Sequence, residues 1–234
     1  MLKRVATFIV LAAVAGFAMA QAPAQHWVEG TNYFPISGAA PTPRSGKVIV
    51  TEVFSYACPY CNQFEPYVDK LRAALPKGAE LQFLPASWGN TVEDWPVFQR
   101  AYFAAEALHL NTPKSRDALF NAIWTIGAPL NTYDLMINRP KPAPELPTIA
   151  DVAKFYTQFG SNAKHFVAAA HSAEVDAEMK RADAQIQRWG VTGTPTIVVD
   201  GKWRANVPSA KGQQQLVDLT LYLVKKELAA RHAK

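Results

Sequence analysis

This chain of 234 residues contains two cysteines, Cys58 and Cys61, at the point where the sequence pattern changes from strand to helix. Residues 47–54 are rich in β-branched and aromatic side chains, which predicts a buried strand. From residue 59 to residue 75 apolar side chains recur every three or four positions, which predicts one face of a helix. A second short strand is predicted over residues 80–85. The two thiols are therefore expected at the start of a helix that follows a buried strand.

The first twenty residues have the pattern of a secretory signal peptide. Lys3 and Arg4 precede a short apolar run, which ends in Ala18-Met19-Ala20. We predict cleavage after Ala20, because the apolar run is somewhat short for a membrane-spanning helix; an uncleaved anchor is the alternative. The mature chain is then expected outside the cytoplasm, without membrane insertion, where disulfides persist.

Composition excludes several classes of protein. Of the 24 basic side chains, Lys3 and Arg4 fall in the first twenty residues, which leaves 22 against 19 acidic ones, a net charge of about +3. That excess is too small to indicate a protein that binds nucleic acid or a membrane surface. Two cysteines in a chain of this length cannot form a disulfide-stapled scaffold. The 49% hydrophobic content must therefore form the core.

The rest of the sequence predicts a long helical block followed by a return to strands. Residues 87–189 carry helix-period apolar side chains almost throughout, with breaks at proline and glycine. Residues 196–204 are typical of a hairpin that turns at Asp200-Gly201, and residues 209–231 predict a last helix. A helical block that does not alternate with strands packs as its own subdomain. Its predicted helices cover residues 97–108, 115–126, 149–159, 163–170 and 173–189.

Three roles are open for Cys58 and Cys61: a structural disulfide, a metal site and disulfide exchange. A bridge across two residues closes a very small loop, so it removes little unfolded-state entropy. Zinc takes four ligands, and the chain has neither a second CxxC motif nor a histidine pair beside the first, although a copper chaperone could use two thiolates. We interpret the five histidines as surface residues: His26, His109, His165, His171 and His232.

Disulfide exchange is the role that best fits the start of a helix. Free backbone N–H groups and the positive end of the macrodipole stabilise a thiolate there, so the pKa of Cys58 should be lowered. We expect Cys58 to be the more exposed thiol and Cys61, one turn further, to be mostly covered. A mixed disulfide at Cys58 could then be resolved by Cys61 without backbone movement.

The segments EVFSYACPYCNQFE and VTGTPTIVVDGKW, separated by the helical block, resemble the periplasmic thiol:disulfide interchange proteins of the DsbA type. The resemblance covers essentially all of the mature chain. It implies an α/β class, with a thioredoxin-like domain formed by residues 21–86 and 190–234. Residues 87–189 are then an inserted all-helical subdomain, and residues 1–20 are the signal peptide.

The same resemblance assigns roles to individual positions. Cys58 matches the nucleophile, Cys61 the buried resolving thiol and Pro195 the cis-proline of the family. The residues themselves leave the Thr194–Pro195 bond open, because an ordinary trans proline also fits a turn before a strand. If the bond is cis, we expect the backbone of Thr194 to face outward, free to pair with a substrate peptide.

Two acidic residues match family positions near the buried cysteine. Glu52 is a charge inside an otherwise apolar strand, so a buried Glu52 should be a proton acceptor with a raised pKa. The alternative for Glu52 is an edge-strand side chain that faces water. Glu65 can also be explained as an acid in the first turns of a helix, where the dipole favours it.

Pro59 and Tyr60 lie between the cysteines, where family members most often carry Pro-His. A histidine there can be protonated and so helps to stabilise the thiolate, whereas a tyrosine offers a hydroxyl alone. Pro-Tyr is familiar from the reducing glutaredoxins. We therefore expect Tyr60 to reduce the oxidising strength.

The resemblance implies a monomeric periplasmic oxidase that needs no cofactor or metal and donates its Cys58–Cys61 disulfide to reduced exported proteins. A quinone-linked membrane partner would re-oxidise it. Within the same chemistry, the alternative is a disulfide reductase or isomerase arm, which would need a reducing donor. Outside that chemistry, the alternative is a non-catalytic metal-binding or peptide-binding chaperone. A stoichiometric metal assay on the reduced protein would identify a metal chaperone.

Overall fold

The computed structural model of the chain describes residues 26–38, 46–90 and 94–232. The predicted signal peptide over residues 1–20 lies outside these ranges and stays a prediction. Over the described residues, none of the helices is both long enough and apolar enough to cross a bilayer.

A five-stranded mixed sheet forms the centre of the fold. Its central hairpin turns at Asp200 and Gly201, which have left-handed φ angles of 54° and 66°. Val199 pairs with Trp203, so residues 200–202 form the loop. From one edge to the other, the strands are β1 (Phe34–Pro35), β7 (Trp203–Asn206), β6 (Thr196–Val199), β2 (Val48–Phe54) and β3 (Ala79–Pro85).

Strand β2 is paired on both sides. It runs parallel to β3 and antiparallel to β6, and all seven of its residues are buried. Glu52 lies in this strand, opposite Phe83 on one side and Ile197 on the other. The alternative of a water-facing glutamate on an edge strand is therefore wrong, because neighbouring strands cover both edges of β2.

Helices account for most of the remaining chain. Pro59 and Pro113 are the first residues of two of the helices, and Pro96 is the second residue of another. Proline is favoured at helix starts because the first N–H groups have no partner in the helix. The helices are α1 (Pro59–Ala74), α2 (Trp95–Ala107), α3 (Pro113–Trp124), α4 (Ile149–Tyr156), α5 (Ala163–Ala170), α6 (Ala173–Arg188), α7 (Val207–Ala210) and α8 (Gln213–His232).

Helices α1 and α8 pack together and contribute to one core against the sheet. The apolar faces predicted for them are buried. Within this core, α1 contributes Phe64, Val68 and Leu71, and α8 contributes Leu216, Leu219, Leu223 and Val224.

A second core joins the helical block to the segment that carries the thiols. Phe54 at the end of β2 and Tyr56 after it pack with Phe98, Phe120 and Tyr156 from α2, α3 and α4. Both cysteines belong to the same cluster. Helices α2 to α6 lie within residues 87–189, and the α/β class with an inserted helical block is confirmed. The boundaries at 86/87 and 189/190 stay predictions.

Two local predictions differ from the structure. The helix predicted over residues 209–231 is divided, because Lys211 and Gly212 leave the helical conformation, with φ angles of 67° and 153°. A small hairpin, β4 (Tyr133–Asp134) and β5 (Arg139–Pro140), lies within the block that was predicted to be helical. Its strands have two residues each, too few to produce a recognisable alternation.

Candidate active site

Helix α1 begins immediately after Cys58, which adopts an extended conformation with φ −89° and ψ 119°. Its carbonyl oxygen accepts from the N–H groups of Cys61 and Asn62, both at 3.1 Å. Pro59 has no N–H, so the first turn loses no hydrogen bond by having proline there. The sulfur of Cys58 thus lies at the N-terminal end of a sixteen-residue helix.

Both cysteines are free thiols, and both are buried. Cys61 is 0% exposed and Cys58 is 3% exposed, so Cys58 is the more exposed thiol, as expected, although it too is almost fully covered. The cover over Cys58 includes the backbone of Thr194, which contacts its sulfur. Tyr60 lies outside this cover and is 65% exposed.

The two thiols differ in acidity. Hydrogen bonding from the Cys61 thiol outweighs the effect of burial and lowers the pKa of Cys58 to about 7, and backbone N–H groups of Tyr60 and Cys61 act in the same direction. Burial and the interaction with Cys58 hold the pKa of Cys61 well above its ordinary value. The pKa of Cys58 therefore lies close to neutral pH, whereas Cys61 keeps its proton there.

The loop before β6 closes over the sulfur of Cys58. The Thr194–Pro195 peptide bond is cis, and the thiol of Cys58 donates to the carbonyl oxygen of Thr194 at 3.6 Å. That carbonyl therefore faces the thiol, which corrects the expectation that the Thr194 backbone is wholly free to pair with substrate. The hydroxyl of Thr196 donates to the Gly193 carbonyl at 2.7 Å, which ties the loop to the strand.

Beneath the thiols, Glu52 and Glu65 share one cation, Arg116 of α3. Arg116 donates to Glu65 through Nε at 2.9 Å and Nη2 at 2.6 Å, and Nη2 also donates to Oε2 of Glu52 at 3.0 Å. The exposed fractions of the side chains are 0% for Glu52, 5% for Arg116 and 14% for Glu65. One positive charge therefore faces two carboxyl groups in a largely buried cluster.

Aromatic rings enclose the guanidinium group of Arg116. Its Cζ lies 4.0 Å from the ring centroids of both Phe54 and Phe83, and 5.1 Å from that of Phe120. Planar guanidinium groups stack favourably on aromatic faces. These contacts fix the plane of Arg116, and with it the direction of the hydrogen bonds to both carboxyl groups.

Burial changes the acidity of this cluster. It raises the pKa of Glu52 to about 8, although Arg116 acts in the opposite direction. Burial also raises the pKa of Glu65, again against Arg116. For Arg116, burial would lower the pKa, but Glu52 and Glu65 outweigh it and hold the pKa above its ordinary value. Glu52 is therefore mostly protonated at pH 7, and its acidity is coupled to the charge of Cys58.

A tryptophan joins the helical block to the segment before the thiols. Nε1 of Trp124, the last residue of α3, donates to the carbonyl oxygen of Tyr56 at 2.8 Å. Tyr56 itself is 1% exposed and packs against Phe54 and Phe120. The turn that leads to Cys58 is therefore held by α3 as well as by the sheet.

Metal ligands do not cluster in the part of the chain that the structure describes. No group of three or more His, Cys, Asp or Glu side chains there could hold a metal ion. His26, His109, His165 and His171 are exposed, and the side chain of His232 lies outside the described part. That finding on groups of three or more does not bear on a site of two thiolates, so the copper-chaperone alternative stays open.

Known proteins share this arrangement of sequence and fold. A family profile described as thioredoxin matches residues 44–219. The thiol:disulfide interchange protein DsbA of Pseudomonas aeruginosa is 30% identical over 221 residues, which are 94% of this chain and 95% of that protein. This chain belongs to the DsbA-type thiol:disulfide interchange proteins. The predicted family and thioredoxin-like fold are confirmed.

Further DsbA-type proteins are similar to this chain in sequence and in structure. The protein of the same name from Azotobacter vinelandii is 29% identical over 86% of this chain and 85% of its own length. The crystal structure of Pseudomonas aeruginosa DsbA superposes with a TM-score of 0.72 at 28% identity, over 87% of this chain and 96% of that one. The oxidoreductase DsbA from Xylella fastidiosa gives a TM-score of 0.72 at 29% identity, over 85% and 96% of the two chains.

In this DsbA-type chain, the structure brings two groups of the predicted residues together. Cys58 contacts Thr194, whose bond to Pro195 is cis, and Cys61 lies one turn further along α1. Glu52 and Glu65 meet through Arg116 rather than directly. Pro59 begins α1 and Tyr60 projects into solvent. The functional role of each of these residues stays a prediction.

Arg116 was missed at the sequence level, although a signal was present. It precedes Leu119, Phe120 and Ile123 by three, four and seven positions, so it falls on the apolar face of its helix. A cation on a buried face needs an anionic partner. The glutamate inside the buried strand, Glu52, needed a cation for the same reason.

Proposed function

We propose that this chain is a periplasmic thiol:disulfide oxidoreductase that donates its Cys58–Cys61 disulfide to exported proteins with reduced cysteines. The observation that carries the proposal is the placing of the two thiols: Cys58 lies at the N-terminal end of α1 against the carbonyl of Thr194, and Cys61 is fully buried. The pKa of Cys58 is accordingly lowered to about 7 and that of Cys61 is raised. Family membership supports the class of reaction. The signal-like pattern of residues 1–20 supports the compartment.

The reaction begins when a substrate thiolate attacks the sulfur of Cys58. The Cys58–Cys61 bond breaks, and Cys61 leaves with the electron pair. A second substrate thiolate then attacks the substrate sulfur of the mixed disulfide, and Cys58 leaves as a thiolate. The substrate has gained a disulfide and lost two electrons, and the protein now holds the dithiol. A thiol with a low pKa is a good leaving group, so the second step favours oxidation of the substrate.

Glu52 supplies the proton that Cys61 needs when it leaves. Its pKa of about 8 keeps the carboxyl group mostly protonated at pH 7, and the thiol of Cys61 has a still higher affinity for a proton because it is fully buried. The proton therefore moves from Glu52 to the sulfur of Cys61. The same carboxylate takes it back when the dithiol is re-oxidised.

Re-oxidation is assigned to a quinone-linked membrane partner, as the family resemblance implies. The protein acts as a monomer in this proposal, and Cys58 is again the sulfur that is attacked first. Tyr60 is 65% exposed beside Cys58, so a partner or substrate that approaches this sulfur contacts Tyr60 as well.

An oxidase and a reductase differ in whether the oxidised or the reduced form of the protein is the more stable one. In an oxidase the reduced form is the more stable one, because the folded protein stabilises the Cys58 thiolate. In a reductase the oxidised form is more stable. Tyr60 in place of histidine favours this second reading, and the lowered pKa of Cys58 favours the first.

The test combines substrate oxidation with thiol trapping. The oxidised protein is incubated with a reduced, unfolded test substrate, a protein that contains several cysteines, without other oxidants. We expect the disulfides gained by the test substrate to equal the Cys58–Cys61 disulfides lost, as counted by thiol alkylation and mass spectrometry. Cys58→Ala is the control and should transfer none. An oxidised wild-type protein that leaves the test substrate reduced would contradict the proposal.

A further inference from the structure

Arg116 binds the carboxyl group that acts on the thiols, yet it comes from the inserted helical block. It is contributed by α3, 64 residues from Glu52 and 51 from Glu65 along the chain. Glu52 in β2 is fully buried, and its Oε1 has no hydrogen-bond partner within the described part of the chain. Oε2 is held by Arg116 at 3.0 Å. One oxygen of Glu52 is therefore fixed and the other is left to carry the proton.

The electrostatic surroundings of Glu52 contain one strong attractive partner. Phe83 and Ile197, which flank it on the neighbouring strands, are uncharged. Glu65 and the thiolate of Cys58 disfavour its ionised form, and Arg116 favours it, with a smaller contribution from Arg72. The groups that act on Glu52 or are acted on by it are Tyr56, Cys58, Cys61, Glu65, Arg72, Tyr102 and Arg116.

We propose that Arg116 is a positioning residue for the thiol chemistry: it holds the Glu52 carboxyl group and controls its proton exchange with Cys61. The inference rests on the proposed function of the Cys58–Cys61 pair. Arg116 itself touches neither sulfur in this assignment. Its bidentate contact with Glu65 anchors it, so that the remaining interaction with Glu52 has a fixed length and direction.

The surroundings of Arg116 also connect the cluster to solvent. Phe54 and Phe83 hold two sides of the guanidinium group. Arg116 lines a cleft of about 1100 Å³, together with Tyr56 and Tyr102.

The step that reports on Glu52 is the resolution of a mixed disulfide. Reduced protein is mixed with oxidised glutathione, so that Cys58 forms a disulfide with one glutathione and releases the other. Glu52 then takes the proton of Cys61, and the Cys61 thiolate attacks the sulfur of Cys58. The bond to glutathione breaks, the second glutathione leaves as a thiolate, and the Cys58–Cys61 disulfide is complete. Acid quenching and mass spectrometry give the rate of this step at each pH.

In the wild type we expect this rate to rise with pH around a midpoint near pH 8, where Glu52 ionises. Arg116→Met removes the positive charge, so Glu52 should ionise at higher pH. Loss of an opposite charge at this distance shifts a carboxyl midpoint by about 1 to 3 units. At pH 7 the variant should therefore resolve the mixed disulfide about tenfold more slowly or worse. Arg100→Met is the matched control: Arg100 pairs with Asp176 at 2.7 Å in the same helical block, and its loss should leave the midpoint unchanged.

A second comparison distinguishes the proposed role of Arg116 from a purely structural one. In a Glu52→Gln background the ionisation near pH 8 is absent, so adding Arg116→Met should leave the rate of resolution unchanged at each pH. An equal slowing of the reaction in that background would overturn the proposal, and so would an unshifted midpoint in folded Arg116→Met.

Arg116→Lys decides the question if the methionine variant does not fold. Lysine keeps the charge but cannot donate in a fork to both carboxyl groups, so the midpoint should rise by roughly half a unit. No rise would overturn the proposal. A wild-type protein that fails to exchange disulfides at all would instead contradict the proposed function, because that outcome does not depend on Arg116.

Discussion

Cys58 and Thr194 meet at the centre of the redox site, where the thiol donates to the threonine carbonyl at 3.6 Å. The hydroxyl of Thr194 is buried and has no hydrogen-bond partner over the described residues. When Cys58 loses its proton, its sulfur becomes an acceptor, and this hydroxyl is the side-chain donor that lowers its pKa further. The loop before β6 therefore offers an acceptor to the thiol and a donor to the thiolate.

Replacing Thr194 with valine should raise the pKa of Cys58. The change removes the hydroxyl and keeps the shape, and a hydrogen bond to a charged group contributes about 1.5–3 kcal/mol. An increase of about 1 pKa unit is expected, because one unit corresponds to about 1.4 kcal/mol. The ultraviolet absorbance of the thiolate across pH gives the value. Thr192→Val is the control, since Thr192 is exposed in the same loop; an equal increase in both variants would rule out the hydroxyl as the cause.

The order of the two thiols can be tested by trapping. The pKa of Cys58 is lowered to about 7 and that of Cys61 is raised, so Cys58 is the thiol that ionises near neutral pH, and substrates should be captured at Cys58. Cys61→Ala should accumulate mixed disulfides with exported proteins that already contain a disulfide, because the Cys58 thiolate opens that disulfide, the other substrate sulfur leaves as a thiolate, and no second thiol resolves the adduct. The adducts are seen on non-reducing gels. Cys58→Ala should give few. Adducts on Cys61 in equal yield would reverse the assignment.

The reduced protein should be more stable than the oxidised protein, by an amount that depends on pH. The folded state lowers the pKa of Cys58 from 9.0 to about 7, so its contribution is complete above pH 9 and is lost as the pH falls through 7. The difference in unfolding free energy between reduced and oxidised samples should grow by about 1 kcal/mol from pH 6 to pH 8. Urea unfolding of both forms measures it. A more stable oxidised form would favour the reductase reading, and a difference that shrinks over this interval would contradict the lowered pKa of Cys58.

A histidine at position 60 should strengthen the oxidant. Tyr60 is 65% exposed next to Cys58, and Tyr60→His would add a positive charge that stabilises the thiolate at neutral and lower pH. The pKa of Cys58 should fall and the reduction potential should rise; about 30 mV corresponds to about 1.4 kcal/mol. Because residue 60 is exposed, the rise in the reduction potential should not be much larger than about 30 mV.

The control for that experiment is Gln63→His, which puts a histidine on an exposed position of α1 one turn further along. Gln63→His should leave the pKa of Cys58 and the reduction potential close to those of the wild type. If Tyr60→His leaves the pKa of Cys58 unchanged or raises it, residue 60 does not tune the potential.

Local patterns were sufficient to predict the elements that position the thiols. Strand β2, the helix start after Cys58 and the hairpin at Asp200-Gly201 each depend on residues close together in sequence. The pairing of Glu52 with Arg116 could not be predicted in this way, because it depends on how α3 packs against the sheet. The near-complete burial of Cys58 was missed for the same reason, since Thr194 covers it from a loop 136 residues away.

The end of the chain shows a different kind of error. Gly212 was included in a predicted continuous helix, although glycine is a poor helix former. The structure has a short helix, α7, that Asn206 caps, and then a break at Lys211 and Gly212 before α8. The apolar pattern predicts the helix α8 correctly, but the predicted helix begins at residue 209 and α8 begins at Gln213.

The origin of Arg116 in α3 limits how far this protein could be reduced in size. A minimal version that replaced residues 87–189 with a short turn would keep both cysteines, the cis-proline loop and the complete sheet. It would also leave Glu52 and Glu65 facing each other without a cation, and stranding a buried ionic group costs about 3–5 kcal/mol. A miniaturised enzyme would need a replacement for that cation on the sheet itself, for example at Phe83 of β3, which lies opposite Glu52, before it could match the redox behaviour of the parent.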